Sequence, residues 1–322
     1  MNVFAHPMVF FRPAGVTKSM ASKNNAKASG KTGANIIGID MGATKIHAAT
    51  VSHSGKILRQ LLVPTPKKKD AAIAKIIELV NDLADKNTVA IGIGVPGPVD
   101  FEKQVVMLTS LGEWKNIPLA KLVTKATGFP CTVENDAKCF LQGEIQYGAA
   151  KSKKSAAGII MGTGFGSALA IDGKIYRGAH GSAGEIGHTI ISNRSGAPGF
   201  RNVGEIESFA SGKAIAAMSK GTDAKAVFEK ALKGDKQAIA TIQKAAYGAG
   251  VGFATIINIL DPEIIIIGGS LSNALPQMLP IMRKVIMRDC FAPATRTPIV
   301  RHKLEYPGTV GAAVVAAANI ER

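Results

Sequence analysis

Thiols are scarce in this chain. Cys131, Cys139 and Cys290 make an odd count, and their separations match neither a metal-ligand nor a redox spacing. Reduced thiols in a cytosolic protein are the plain reading. No apolar run approaches the ~20 residues that cross a bilayer, so no membrane partner is expected. Acids are missing from residues 1–34, where Arg12, Lys18, Lys23, Lys27 and Lys31 supply five of the sixteen excess positive charges. The remaining positive charge is scattered, apart from Lys67-Lys68-Lys69 and the group Lys151, Lys153 and Lys154. A lysine run is most often a solvated face, although such a field also draws polyanions. No nucleic-acid-binding motif accompanies it, so a nucleic-acid partner is not expected.

What is present is a pattern used twice. Gly38-Ile39-Asp40-Met41-Gly42-Ala43-Thr44-Lys45 runs on to Gly55-Lys56-Ile57, and Gly158-Ile159-Ile160-Met161-Gly162-Thr163-Gly164-Phe165-Gly166 runs on to Gly173-Lys174-Ile175. Each copy is an apolar run, a tight turn of small residues, an alternating segment, a second turn and a restart. That predicts two β-meanders built to one plan. Small residues at the first turn let backbone N–H groups approach an anion. Two such turns point to two facing domains with a polyphosphate between them. Only the first copy carries a carboxylate there, since Asp40 is matched by Ile160.

At 322 residues the chain has room for two domains. We expect a disordered basic tail over 1–34 and a smaller α/β domain over 35–140, completed by 308–322. A larger α/β domain is expected over 141–307. Strands are predicted at 36–40, 45–51, 56–63, 88–95, 131–134, 156–161, 166–172, 174–177 and 264–267. Helices are predicted at 70–86 with Asp70 as cap, then at 118–127, 137–149, 209–219, 222–233, 235–259 and 308–320. Residues 178–204 are too glycine-rich for regular elements, and long loops in compact domains are usually functional or disordered.

Two motifs fail on context. Asn25–Thr32 ends like a phosphate-binding loop but lacks its first glycine, a preceding strand and an apolar helix. Gly92-Ile93-Gly94-Val95-Pro96-Gly97 matches a dinucleotide fingerprint, but Pro96 has no N–H to donate and no helix opens there.

The polar candidates are individually weak. Asp136 follows an apolar strand and opens a helix. An acid there is usually a cap, but a helix N-terminus also keeps a carboxylate ionised, as a general base requires. Glu185 and His188 stand in the glycine-rich stretch, and Glu207 just precedes a helix. Together these four residues offer acceptors around a polyol.

With these motifs in order, the chain resembles sugar kinases of the ROK family in the actin–hexokinase superfamily. The resemblance runs over roughly 35–320. It rests on Asp40 through Lys45, Gly94 through Asp100, Glu134 through Ala137, Gly162 through Gly166, Glu185 through His188 and Glu207 through Gly212. Asn258, Pro262-Glu263 and Gly268-Gly269 close the series. It implies an α/β fold of duplicated ribonuclease H-like, actin-like ATPase domains around a central cleft. It implies transfer of a phosphoryl group from ATP to the 6-hydroxyl of a hexose, glucose first, in a cytoplasmic homodimer.

The roles it implies are these. Asp136 is the base. Asn135, Glu185, His188, Glu207 and Ser110 hold the sugar. Gly42, Thr44, Lys45, Gly162, Thr163 and Gly164 hold the phosphates, and Gly268 and Gly269 line the nucleotide side. Asp40 organises Mg²⁺ through water. Alternatives under the same resemblance are polyphosphate as donor, and fructose or an N-acetylhexosamine as acceptor. A non-catalytic regulator is a distant one, because the 34-residue tail is too short for a helix-turn-helix domain.

The chain departs from the family pattern in three places. Most members bind structural Zn²⁺ through the histidine of Glu-Ile-Gly-His and three cysteines. The same distances counted from His188 reach Pro198, Phe200 and Glu205, so no structural zinc is expected. His188 should then be held by hydrogen bonds and 194–204 by packing, with Phe200 a candidate. Ser110 replaces an asparagine that touches sugar. Lys138 replaces another asparagine and is expected to point to solvent. Ala43, Ser167 and Ala168 replace glycines and should be tolerated.

Overall fold

The computed structural model describes residues 33–320, apart from 110, 112, 113, 194 and 195. The expected tail and the Ser110 contact therefore lie outside the described residues. The first part of the chain runs β1 (Asn35–Met41), β2 (Lys45–Ser52), β3 (Ile57–Pro64), α1 (Lys69–Leu83) and β4 (Thr88–Val95). It continues with β5 (Val99–Asp100), β6 (Val105–Leu108), β7 (Lys115–Ile117), α2 (Leu119–Thr127), β8 (Cys131–Asn135) and α3 (Asp136–Tyr147). The second part runs β9 (Ala156–Met161), β10 (Phe165–Ile171), β11 (Lys174–Ile175), α4 (Glu207–Ala210), α5 (Gly212–Met218) and α6 (Ala224–Leu232). It ends with α7 (Lys236–Leu260), β12 (Ile265–Gly268), α8 (Leu275–Asp289), β13 (Ile299–Arg301) and α9 (Pro307–Ile320).

Two five-stranded sheets result, ordered β3-β2-β1-β4-β8 and β11-β10-β9-β12-β13. They match position by position, as the repeated meander predicts. In the first hairpin Asp40 pairs with His47, and in the second Ile160 pairs with Gly166. Strand alternation then sorts the side chains. Ile37 and Ile39 of β1, with Ile91 and Ile93 of β4, bury against Ile76, Leu79 and Val80 of α1 and Leu119 and Val123 of α2. Ile159 and Met161 of β9 bury against α7 and α8 through Phe253, Ile257, Met278 and Met282. Each such side chain stabilises the fold by about 1.5–3 kcal/mol on burial.

The opposite strand faces carry glycine, because a helix lies directly on them. A Cβ at Gly38 would overlap the Thr309 carbonyl, and one at Gly92 the Ala312 carbonyl, both in α9. The glycines that imitate a dinucleotide fingerprint therefore serve close packing. Helix α3 covers the second sheet through Phe140 and Leu141, which share a buried cluster with Ile266 and Ala168. Helices α3 and α9 pack on each other, with Gly311 against the Cys139 carbonyl and Gly143 against that of Pro307. The stack is sheet, α9, α3, sheet. Gly311→Ala forces two helix backbones apart and should cost about 1–3 kcal/mol. Thermal unfolding followed by circular dichroism checks this; an unchanged midpoint would refute so tight a contact.

Three details differ from expectation. Asp70 lies in the first turn of α1 beside Lys69 and is not its cap. Helix α8 and strand β13 have no counterpart in the sequence reading. Pro276 sits at the first helical positions of α8, where its missing N–H costs nothing, and Pro280 lies inside the helix. The three-stranded sheet β5-β6-β7 is also unforeseen, since strands of two to four residues are too short to show alternation.

Candidate active site

Both phosphate-type turns share one construction. In the first, the Gly42 N–H reaches the Lys45 carbonyl at 2.9 Å and the Thr65 hydroxyl donates to the Gly42 carbonyl at 2.8 Å. In the second, the Gly162 N–H reaches the Gly164 carbonyl at 3.0 Å. The Gly162 and Thr163 carbonyls take N–H groups from Gly212 and Lys213 at 2.7 and 3.2 Å. The two turns thus spend their carbonyls inside the fold. Among the described residues, the N–H groups of Ala43, Thr44, Thr163 and Gly164 have no backbone partner outside the regular elements. Such N–H groups make an anion cradle. Thr44 and Lys45 are exposed. Gly268 is walled by the Phe140 ring, and Gly269, at φ +79°, presses against Met161 and Gly162. Their small size brings the end of β12 onto the second turn.

Asp136 is the first residue of α3, and Asn135 is its cap. The Asn135 side-chain oxygen takes the Lys138 N–H at 3.0 Å, while its amide donates to the Gly97 carbonyl and to Asp136 Oδ1, both at 3.1 Å. Both amide hydrogens of Asn135 are therefore engaged, one on Gly97 and one on Asp136. Asp136 Oδ1 also accepts the Ala137 N–H at 2.8 Å. Oδ2 has no partner among the described residues.

The structure brings Asp40, Asp136 and Glu185 into one electrostatic neighbourhood. Burial, then the charge of Asp40, and further down that of Glu185, push Asp136 up to about 7. The Ala137 N–H pulls it down and loses. Against the pull of the helix start, desolvation beside like charges wins and raises the carboxyl. Burial alone lifts Asp40 to about 6. Its carboxylate lies against Gly308 at the start of α9, where a Cβ would overlap it.

The glycine-rich segment is anchored on both sides of Glu185. The Ser167 hydroxyl donates to the Gly184 carbonyl at 2.5 Å and accepts the Ile186 N–H at 3.3 Å. The serine that replaces a family glycine is thus a clasp. Lys138 is another. It is 1% exposed, and its ammonium donates to the Gly181 carbonyl at 2.7 Å. The expectation of a solvent-facing lysine is wrong, because the segment folds back over α3 and covers it. Glu207, at the start of α4, takes the Phe165 N–H at 2.8 Å, so the segment is also tied to the second turn. His188 is half-buried, and its Nδ1 lies 3.0 Å from Glu205 Oε2.

Sequence reasoning missed Arg177. Its Nε donates to Glu134 Oε2 at 2.6 Å, and its guanidinium stacks over Phe101 at 3.8 Å. Glu134 is 2% exposed and accepts the Asn135 N–H at 2.9 Å. The pair therefore supports the strand end that presents Asp136. Nothing local marks Arg177, which stands 43 residues from its partner.

The chain is similar to known proteins. The model of the ROK family matches residues 36–319. A glucokinase of Streptomyces coelicolor is 31% identical over 275 residues, covering 78% of this chain and 87% of its own. A putative xylose repressor of Caldicellulosiruptor sp. is 28% identical over 282 residues, covering 80% of this chain and 71% of its own. The crystal structure of a ROK family glucokinase from Streptomyces griseus, in complex with glucose and AMPPNP, superposes with a TM-score of 0.78. It is 30% identical and covers 88% of this chain and 99% of that one.

Proposed function

This chain belongs to the ROK family, and on that premise we propose that it is a sugar kinase. It transfers the terminal phosphoryl group of ATP to the 6-hydroxyl of a hexose, glucose before others. The observation that carries the reading is Asp136, presented at a helix start with Oδ2 free and beside Asp40, in a fold with two turns of unspent N–H groups. Kinship with glucokinases, one of them seen with glucose and a nucleotide analogue, supports the choice of sugar and donor.

The chemistry follows from the groups present. As the sugar oxygen bonds to the terminal phosphorus, its proton passes to Asp136 Oδ2, and the bridging P–O bond breaks to release ADP. Asn135 and Ala137 hold the carboxylate by Oδ1, so Oδ2 keeps its aim. Glu185, His188 and Glu207 supply acceptors for the other hydroxyls, and the turns cradle the phosphates. Asp40 suits a hydrated divalent cation: it is a recessed carboxylate lifted by desolvation, without a hydrogen-bond partner among the described residues. Mg²⁺ held there through water would neutralise phosphate charge. Lys138 and Ser167 hold the sugar-side segment in place, and a site closed by that segment would limit water as a competing acceptor.

Initial rates with Mg²⁺ test the reading, crossing ATP and polyphosphate against glucose, fructose, mannose and the N-acetylhexosamines. Turnover is expected to be highest with ATP and glucose. Absence of turnover with every pair, from folded protein, would overturn it.

A further inference from the structure

The sugar-side segment closes on a buried carboxylate. Ile190 and Glu205 form an antiparallel bridge, flanked by hydrogen bonds from the Ile191 N–H to Gly204 and from the Ile206 N–H to Thr189. This is the neck of the 190–205 loop. The Glu205 side chain, 1% exposed, turns inward from the neck. Oε1 accepts the Arg201 N–H at 3.1 Å, and Oε2 accepts from the Asn202 amide at 3.2 Å and lies 3.0 Å from His188 Nδ1. One side chain thus gathers the returning end of the loop, its neck and the histidine before it.

A structural zinc ion, which the family resemblance places at this loop, does not fit here. The counted positions hold Pro198, Phe200 and Glu205, and the described residues contain no group of three His, Cys, Asp or Glu side chains able to hold a metal. Cys131, Cys139 and Cys290 stand on β8, on α3 and just beyond α8. Phe200 is used differently: the Lys213 ammonium lies 4.6 Å from its ring centre and donates to the Gly199 carbonyl at 2.8 Å.

We propose that Glu205 takes the place of the metal ion as the positioning residue of this loop, fixing His188 with Nδ1–H donated to the carboxylate and Nε2 as the acceptor for a sugar hydroxyl. The role toward sugar rests on the kinase reading above; the tautomer does not. An ionised carboxylate only accepts, so the proton between the two residues belongs to Nδ1, and the tautomer follows. His188 Nε2 has no protein partner among the described residues. Three donors converge on two oxygens, and an amide at 205 would turn one of those oxygens into an N–H₂ group facing a donor. Two residues on, Glu207 is fixed to the second turn, so the staple sets the spacing of both sugar-side groups.

Glu205→Gln tests this with two independent readouts. ¹⁵N spectra of histidine-labelled protein should show His188, identified by its loss in His188→Asn, as the Nδ1–H tautomer. In Glu205→Gln that population should shift toward Nε2–H. The KM for sugar should rise about 10- to 100-fold, the loss expected when a charged hydrogen-bond network is broken. The KM for ATP should stay within about twofold, and Glu205→Asp, which keeps both oxygens, should recover part of the loss. An Nε2–H tautomer in the unaltered protein, or an unchanged sugar KM in a folded Glu205→Gln variant, would overturn the proposal. So would stoichiometric zinc in dialysed protein whose removal raises the sugar KM. Failure of the kinase reading shows separately, as absent turnover in the unaltered protein with the His188 tautomer intact.

Discussion

Asp136→Asn is expected to lower kcat by about 10²- to 10⁴-fold while leaving the fold and the sugar KM nearly unchanged. Asparagine keeps the side-chain shape and can still accept the Ala137 N–H, but it cannot take a proton from the sugar. The acid limb of the unaltered enzyme should report the same group. Asp136 works as a carboxylate and is lifted to about 7 by burial and by Asp40 and Glu185. Below that pH the base is protonated and idle, so kcat/KM should be half-maximal near 7, level off about a unit above it and fall about tenfold per unit below it. Removing one neighbouring negative charge with Glu185→Gln should move the limb to lower pH, whatever it does to the absolute rate. A limb that stays in place would mean that another group sets it. A kcat within threefold of the unaltered value in Asp136→Asn would remove Asp136 as the base.

The largest expected effect on stability lies away from the chemistry. Glu144 of α3 is 0% exposed. Its carboxylate accepts N–H groups from Ala149 at 2.7 Å, from Leu304 at 2.9 Å and from Lys303 at 3.1 Å. It therefore ties the end of the helix that starts with Asp136 to the segment that enters α9. Glu144→Ala strips these donors of their acceptor at once and should cost about 3–5 kcal/mol, the usual range for breaking a buried charged network. Glu144→Gln should cost less, because one oxygen still accepts. Urea denaturation checks both, read as a lower midpoint at constant slope. A loss under about 1 kcal/mol would show that water replaces the carboxylate.

Much of the arrangement was legible residue by residue. Ile37 and Ile39 alternate with Gly38 and Asp40, and that alternation alone places Asp40 on the face away from α1 and α2. The two meanders were visible because turn chemistry is local, and so was a helix opening at Asp136. Helix α8, which carries Pro276 at its start and Pro280 in its interior, was not read. The partnerships were hidden by distance: Arg177 finds Glu134 across 43 residues, and Glu144 finds Leu304 across 160. Lys138 was misread because its neighbours in sequence say nothing of the segment that buries it.

By itself, the sequence determined the kinds and order of most elements, the duplicated plan of the sheets and the presence of a carboxylate at only the first of the paired turns. These follow from side-chain period and from the backbone freedom of small residues, which act over a few positions. Only the tertiary structure decided the upward shift of Asp136, the engagement of both Asn135 amide hydrogens, the burial of Lys138 and the convergence of donors on Glu205. Desolvation and pairing depend on which surfaces are brought together, and groups far apart in the chain set them.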